Sequence, residues 1–220
     1  MSMSDSSPMP AAPRPRGRPR LAPDAQASRR ALLRAGLAQL TERGYVAVRL
    51  EDIVSAAGVT KGAFYHHFRS KADYGAVVIA EYDAFFRARI AQSLGRADLS
   101  PLARIRDFAR NAEAGMARFS FSRGCLIGNL GQEMASLPED YRDMLIAVLE
   151  GWQRMTADCL RDAQSVGEID ATHDPDSLAA FFWTGWEGAV LRAKLERNPA
   201  PLRQFADSFL RLISSERSPS

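Results

Sequence analysis

An all-α fold follows from three features of the sequence. Apolar residues recur with helical spacing over nearly the whole chain beyond residue 24, Gly and Pro break that pattern at short intervals, and no alternating stretch competes as a strand. The breaks divide the chain into a three-helix unit at the front and a longer helical bundle behind it. At 220 residues, with 46% hydrophobic and 25% charged residues, the chain has the length and composition of a globular protein with a sizeable core. It contains no apolar run of about 18 residues that could span a membrane. The first residues, rich in Ser, Pro, Ala and Arg, lack the apolar core of a signal peptide. Two cysteines, Cys125 and Cys159, make no disulfide framework and suit a reducing compartment, so a cytoplasmic location is expected.

Residues 1–23 carry no apolar period and are expected to form a disordered basic arm, with Arg14, Arg16, Arg18 and Arg20 spaced by Pro and Gly. A first helix is expected over Asp24–Arg43, with Leu33, Leu37 and Leu40 on one face and Gly44 as its stop. Between Val48 and Lys71 two short helices meet at a turn. Leu50, Ile53 and Val54 form the apolar face of one, Gly58 ends it, and Thr60 can cap the next. Phe64 and Phe68, four apart, point into a core. With those two buried, Gly62 and His66 point outward, Lys61 and Tyr65 lie on one flank, and Ala63 and His67 on the other. Beyond Ala72, helical segments are expected near 72–93, 101–120, 123–136, 139–166, 175–197 and 201–214, with breaks at Gly95, Pro101, Gly124, Pro138, Gly167 and Pro199. Asp174-Pro175-Asp176 has the order of an N-cap, a first-turn proline and a helpful acid.

Charge separates the same two regions. Residues 1–71 hold twelve basic side chains against five acidic ones, a net +7, and residues 72–220 hold seventeen against twenty-one, a net −4. Only the front is suited to a polyanion.

The run Gly58-Val-Thr-Lys-Gly-Ala-Phe-Tyr-His-His-Phe-Arg-Ser-Lys71, with Leu50-Glu51-Asp52-Ile53 before it, resembles the DNA-binding head of the TetR family of bacterial transcription regulators. The resemblance implies a basic arm over 1–23, a helix-turn-helix head over 24–71, and a ligand-binding and dimerisation domain over 72–217. A small second helix ringed by cations, a phenol and imidazoles suits insertion into a major groove. The residues expected at DNA are Thr60, Lys61, Gly62, Tyr65, His66 and His67, with Lys71 reaching a phosphate. In the arm, Arg16-Gly17-Arg18-Pro19 resembles an AT-hook whose arginines enter a narrow A·T minor groove. A solvated tail making unspecific phosphate contacts accounts for it equally well. The implied partners are palindromic double-stranded DNA, a small-molecule effector and a second copy of the chain. No membrane partner and no cofactor are implied. In the family the last two long helices pair across a two-fold axis, and residues 175–197 and 201–214 fall in those places, with Leu178, Phe181, Phe182, Gly185 and Gly188 as candidate contacts.

Phe121-Ser-Arg-Gly-Cys125-Leu-Ile-Gly-Asn-Leu-Gly-Gln-Glu133, with Gly185-Trp-Glu-Gly-Ala-Val-Leu-Arg-Ala-Lys194, resembles a narrower, AcuR/NemR-like branch of the family. Repressors of that branch control genes handling unsaturated or reactive carbonyl compounds. Cys125 falls at an expected helix start, two residues after Arg123, and both features favour a thiolate able to add to an unsaturated carbonyl or to be oxidised. The resemblance gives Cys125 the role of electrophile sensor and Lys194 a part in oxidant sensing. The plainer reading is a packed thiol with a solvated lysine. Trp152, Trp183 and Trp186, with Met116, Phe119 and Met134, are candidates for a pocket wall or for ordinary core, and Glu187 is a polar candidate among them. Cys159 sits in an unbroken helical run and is expected to pack. His66, His67 and His173 have no metal-ligand spacing. Two rival functions account for part of the chain: a cysteine-dependent detoxifying enzyme on a helical scaffold, which leaves the basic front without a role, and an architectural DNA binder, which leaves the acidic rear without one.

Overall fold

The chain is described here, over residues 23–215, by a computed structural model. Its first helix, α1 (Pro23–Arg43), buries Leu32 and Leu40 completely and carries Gly36 where the Tyr74 ring passes close. The short α2 (Leu50–Ala57) buries Ile53 and ends where Gly58 takes left-handed backbone, φ 66°, which a side chain would resist. The Thr60 side chain then accepts the Ala63 N–H at 3.2 Å and starts α3 (Lys61–His67). Phe64 and Phe68 pack on each other and on Tyr74, with ring centroids 5.3 and 4.9 Å from it. Both are buried, as their spacing predicts, although Phe68 lies just beyond α3 in extended backbone. Full burial of one such ring stabilises the unit by about 2 kcal/mol.

Ser70 caps α4 (Lys71–Leu94), which runs from this unit into the bundle. The bundle continues with α5 (Pro101–Ala117), α6 (Leu126–Gln132), a single 3₁₀ turn at Met134–Ser136, α7 (Asp140–Ser165), α8 (Pro175–Glu196) and α9 (Ala200–Ile213). Helix α7 packs on α4, α5 and α8, and α8 packs on α9. Asp174 caps α8 through the N–H groups of Asp176 and Ser177, as the Asp-Pro-Asp order predicts. Among the described residues there is one isolated bridge, Ile169 to Ser214, and no helix long and apolar enough to cross a membrane.

Two expectations change, one for a helix and one for the set of α8 contacts. The segment near 123–136 is not one helix. Ser120 and Phe121 turn left-handed (φ 49° and 55°), bring residues 123–125 alongside α1, and leave α6 only seven residues long. In α8, Phe182 is in the monomer core, stacked on Trp186 and touching Phe205 and Phe209. Gly185 makes room for the Phe205 ring of the same chain, and Leu178 also packs on the core. Of the five candidate contacts, Phe181 and Gly188 remain on the open face, joined there by Leu195 and by Leu212 of α9.

Candidate functional site

Helix α3 turns Lys61, Gly62, Tyr65 and His66 to solvent, with Thr60 exposed before it and His67 half-buried behind. Tyr65 is 52% exposed although its ring meets Phe64 edge to face. The Lys61 ammonium lies 2.9 Å from Glu51, an exposed, solvent-screened pair that is open to exchange for a phosphate. Burial and the neighbouring His66 hold the His67 imidazole below its usual range, so it is neutral at pH 7. Arg16 and Arg18 lie outside the described residues.

Lys71 does not extend as expected. Its ammonium donates to the Tyr45 carbonyl at 2.7 Å and sits 4.1 Å from the Tyr45 ring centroid, where burial lowers its pKa. A cation held over a ring and bound to a carbonyl stabilises the end of α1 rather than reaching outward.

A cavity of about 370 Å³ opens between α1, α4, the end of α5, the 119–125 connection and α8. Tyr82, Phe86, Met116, Phe119 and Trp186 make most of its wall apolar. Cys125 and Glu187 contribute one polar spot and Arg89, Arg118 and Arg123 another. The guanidinium groups of Arg89 and Arg118 have no hydrogen-bond or ion-pair partner among the described residues. Arg123 lies over the Phe119 ring at 3.9 Å, and its buried Nε is 3.8 Å from Glu42, too far for a hydrogen bond. Guanidinium edges left open beside an apolar cavity suit a carboxylate or a carbonyl oxygen.

The environment of Cys125 differs from the one its sequence suggests. It caps a helix, but that helix is short, and Arg123 is turned to Phe119 and Glu42. The thiol is buried beside the Glu187 carboxyl, both lying against Gly128, and the Tyr82 hydroxyl donates to its sulfur at 3.7 Å. Burial first, and then the charge of Glu187, push the thiol pKa well up, so the resting form is a neutral thiol and not a thiolate. Burial pushes the Glu187 carboxyl up to about 7. A Cβ at Gly128 would collide with a Glu187 carboxylate oxygen, so glycine in the first turn of α6 is what lets Glu187 lie beside the cysteine.

Other candidates separate from this cluster. Trp183 and Trp152 are core: their indole N–H groups donate to Thr156 (3.0 Å) and Asp83 (2.8 Å). Lys194 packs its chain over Gly124 and donates to the Thr41 carbonyl at 3.2 Å, and it makes no hydrogen bond with the Cys125 sulfur. Cys159 is buried with its sulfur 3.4 Å from the Pro101 carbonyl, and burial pushes its pKa up to about 12. Tyr82, Phe86 and Arg89 were missed by the sequence reading. Their i, i+4, i+7 spacing on one helix face was the available signal. No group of three or more His, Cys, Asp or Glu that could hold a metal ion occurs among the described residues.

Helix α6 joins the cavity to the front of the molecule. The Asn129 amide donates to the carbonyls of Leu40 (3.2 Å) and Thr41 (2.9 Å), and the Gly124 N–H also reaches Thr41 (3.1 Å). One turn on, Glu133 accepts the N–H groups of Tyr45 (2.7 Å) and Val46 (3.1 Å).

Comparison with known proteins matches these two halves separately. The family described as "Bacterial regulatory proteins, tetR family" matches residues 32–73, and "Tetracyclin repressor-like, C-terminal domain" matches residues 101–209. The transcriptional regulator AcuR of Cereibacter sphaeroides is 55% identical over 95% of this chain and 95% of its own. The HTH-type transcriptional repressor NemR of Escherichia coli K12 is 26% identical over 80% of this chain and 88% of its own. A crystal structure of a regulatory protein TetR from Rhodobacter sphaeroides superposes with a TM-score of 0.84 at 55% identity, covering 84% of this chain and 98% of that one.

Proposed function

The chain belongs to the TetR family of transcription regulators, and from that premise we propose that it is a homodimeric repressor released from a palindromic operator by a small unsaturated carbonyl compound. Thr60, Lys61, Gly62, Tyr65, His66 and His67 form its DNA face, and the arm with Arg16 and Arg18 adds affinity through charge. The division into arm, head and effector-binding body follows the boundaries near residues 23 and 71. The open face of α8 and α9 carries Phe181, Gly188, Leu195 and Leu212 and serves as the two-fold interface.

One observation carries the effector reading. A cavity with a cysteine–glutamate pair and open guanidinium edges is linked through α6 to the carbonyl end of α1. A carboxylate or carbonyl oxygen held by Arg89 and Arg123 leaves an attached vinyl group within the apolar space shared with Cys125. The buried neutral thiol favours an electrophile that enters the cavity over an oxidant that acts on a thiolate. A ligand shifts the protein from its DNA-bound form only by binding the released form better, so effector and operator must weaken each other by the same factor.

The test uses the full chain and DNA from upstream of its own gene, with fluorescence anisotropy read against acrylate, methyl vinyl ketone and their saturated counterparts. Release by the unsaturated compounds is expected from the wild type and Cys159→Ser, and Cys125→Ser should need a much higher dose. Operator binding unaffected by every one of these compounds would refute the effector class.

A further inference from the structure

We propose that Glu187 is the proton acceptor for Cys125, so that the resting thiol adds directly to an α,β-unsaturated carbonyl group in the cavity. The inference rests on the effector reading above and concerns how the same site reacts. Its ground is placement. Cys125 stands before the first turn of α6, Glu187 comes from α8 more than sixty residues later, and the bare Gly128 allows their side chains to meet. Both residues line the cavity, so an incoming carbon can reach the sulfur while the carboxyl is still beside it.

The step balances without any other reagent. The S–H proton passes to a Glu187 carboxylate oxygen, and the sulfur electron pair forms the S–C bond at the β-carbon. The C=C pair shifts to the enolate, and the α-carbon takes a proton back from Glu187 or from water. Tyr82 can donate to the sulfur from α4, which leaves the S–H proton directed at the carboxylate. A base beside a thiol removes the need for a standing thiolate, which peroxide would oxidise.

The other charged or titratable groups around the pair are Tyr82 and Arg89 of α4, Arg118 at the end of α5, Arg123 before α6, and Lys194 directed at Thr41. Burial holds the Tyr82 phenol well above its usual range. Glu187, pushed up to about 7, changes charge near neutrality.

Full-length wild type, Glu187→Gln and Glu187→Asp are treated with methyl vinyl ketone from pH 5.5 to 8.5, and the Cys125 adduct is followed by peptide mass. In the wild type the rate should rise through about pH 7 and then level. Glu187→Gln should react more slowly by on the order of 100-fold or more at pH 7.5, without that inflection, and Glu187→Asp should keep the inflection at a lower rate. If Glu187 were only a charge that suppresses the thiolate, its removal would speed the reaction. A Glu187→Gln rate equal to or above wild type overturns the proposal, and so does a wild-type rate from Glu187→Asp should the glutamine variant fail to fold. Operator release is measured on the same samples. Release of wild type without an adduct overturns the proposal and leaves the effector reading standing, whereas base-assisted alkylation without release supports the proposal and overturns that reading.

Discussion

The Asn129 side-chain amide lies 2.9 Å from the Thr41 carbonyl oxygen, joining the helix that starts at Cys125 to the helix that ends in the DNA-binding head. Thr41 also accepts from Gly124 and Lys194, so one carbonyl gathers donors from α6, from the connection before it and from α8. A shift of the first turn of α6 by an occupant of the cavity would act on α1 at this point. The thioether proposed on Cys125 would be one such occupant.

Asn129→Ala should therefore uncouple the two ends without unfolding either. The Thr41 carbonyl keeps two donors and Leu40 keeps Gly44, so the stability cost should be about 1 kcal/mol. Cys125 should alkylate at the wild-type rate, while the effector dose for half-release from DNA rises by roughly 5–100-fold, the span of ordinary coupling energies. An unchanged release midpoint in an anisotropy titration would remove α6 from the route.

Lys71→Met separates a structural lysine from a phosphate contact. Loss of the bond to the Tyr45 carbonyl and of the cation–ring contact should lower stability by about 1–2 kcal/mol in a thermal melt. The slope of log affinity against log salt should stay at the wild-type value. A slope smaller by about one would show that the ammonium swings out to the DNA.

Phe181→Asp puts a charge on the open face of α8, where the ring is 52% exposed in the monomer. The monomer core should tolerate the change, while dimer population and operator affinity fall together. Phe182→Asp should instead unfold the chain, because Phe182 is 1% exposed among Trp186, Phe205 and Phe209. Sedimentation and melting curves on the two variants test this. A dimer of wild-type strength in Phe181→Asp would place the interface elsewhere.

Glu187 also predicts a pH dependence of stability. Burial raises its carboxyl from 4.5 to about 7 in the folded protein. Below about pH 4.5 the group is protonated in both states and costs nothing. Between the two values the unfolded chain has released a proton that the folded chain still holds, so stability falls as pH rises, and above about 7 the cost is complete. Glu187→Gln removes that cost. It should melt higher than wild type at pH 8, by at most about 3 kcal/mol because the cavity admits water, and the two curves should converge toward pH 4.5. Parallel curves at all pH values would mean that the carboxyl is not held neutral.

The helical class, the turn at Gly58, the cap at Thr60, the buried pair Phe64 and Phe68, and the start of α8 at Asp174 were all legible in the sequence. Each depends on residues within four positions of one another, and helix period, capping and left-handed glycine act over that range. What Cys125, Lys71 and Phe182 do was decided only in three dimensions. Their own segments offered a helix start and an arginine, a helix-end cation, and an interface stripe. The partners that set their state are Glu187 for Cys125, Tyr45 for Lys71 and Phe205 for Phe182, each supplied by another element of the fold. Desolvation depends on everything packed around a group, so the protonation of Cys125 and the direction taken by Lys71 follow from tertiary burial and not from local spacing. The same holds for the joint at Thr41, whose side-chain donors Asn129 and Lys194 come from positions far along the chain and meet one carbonyl only once α6 and α8 have closed on the end of α1.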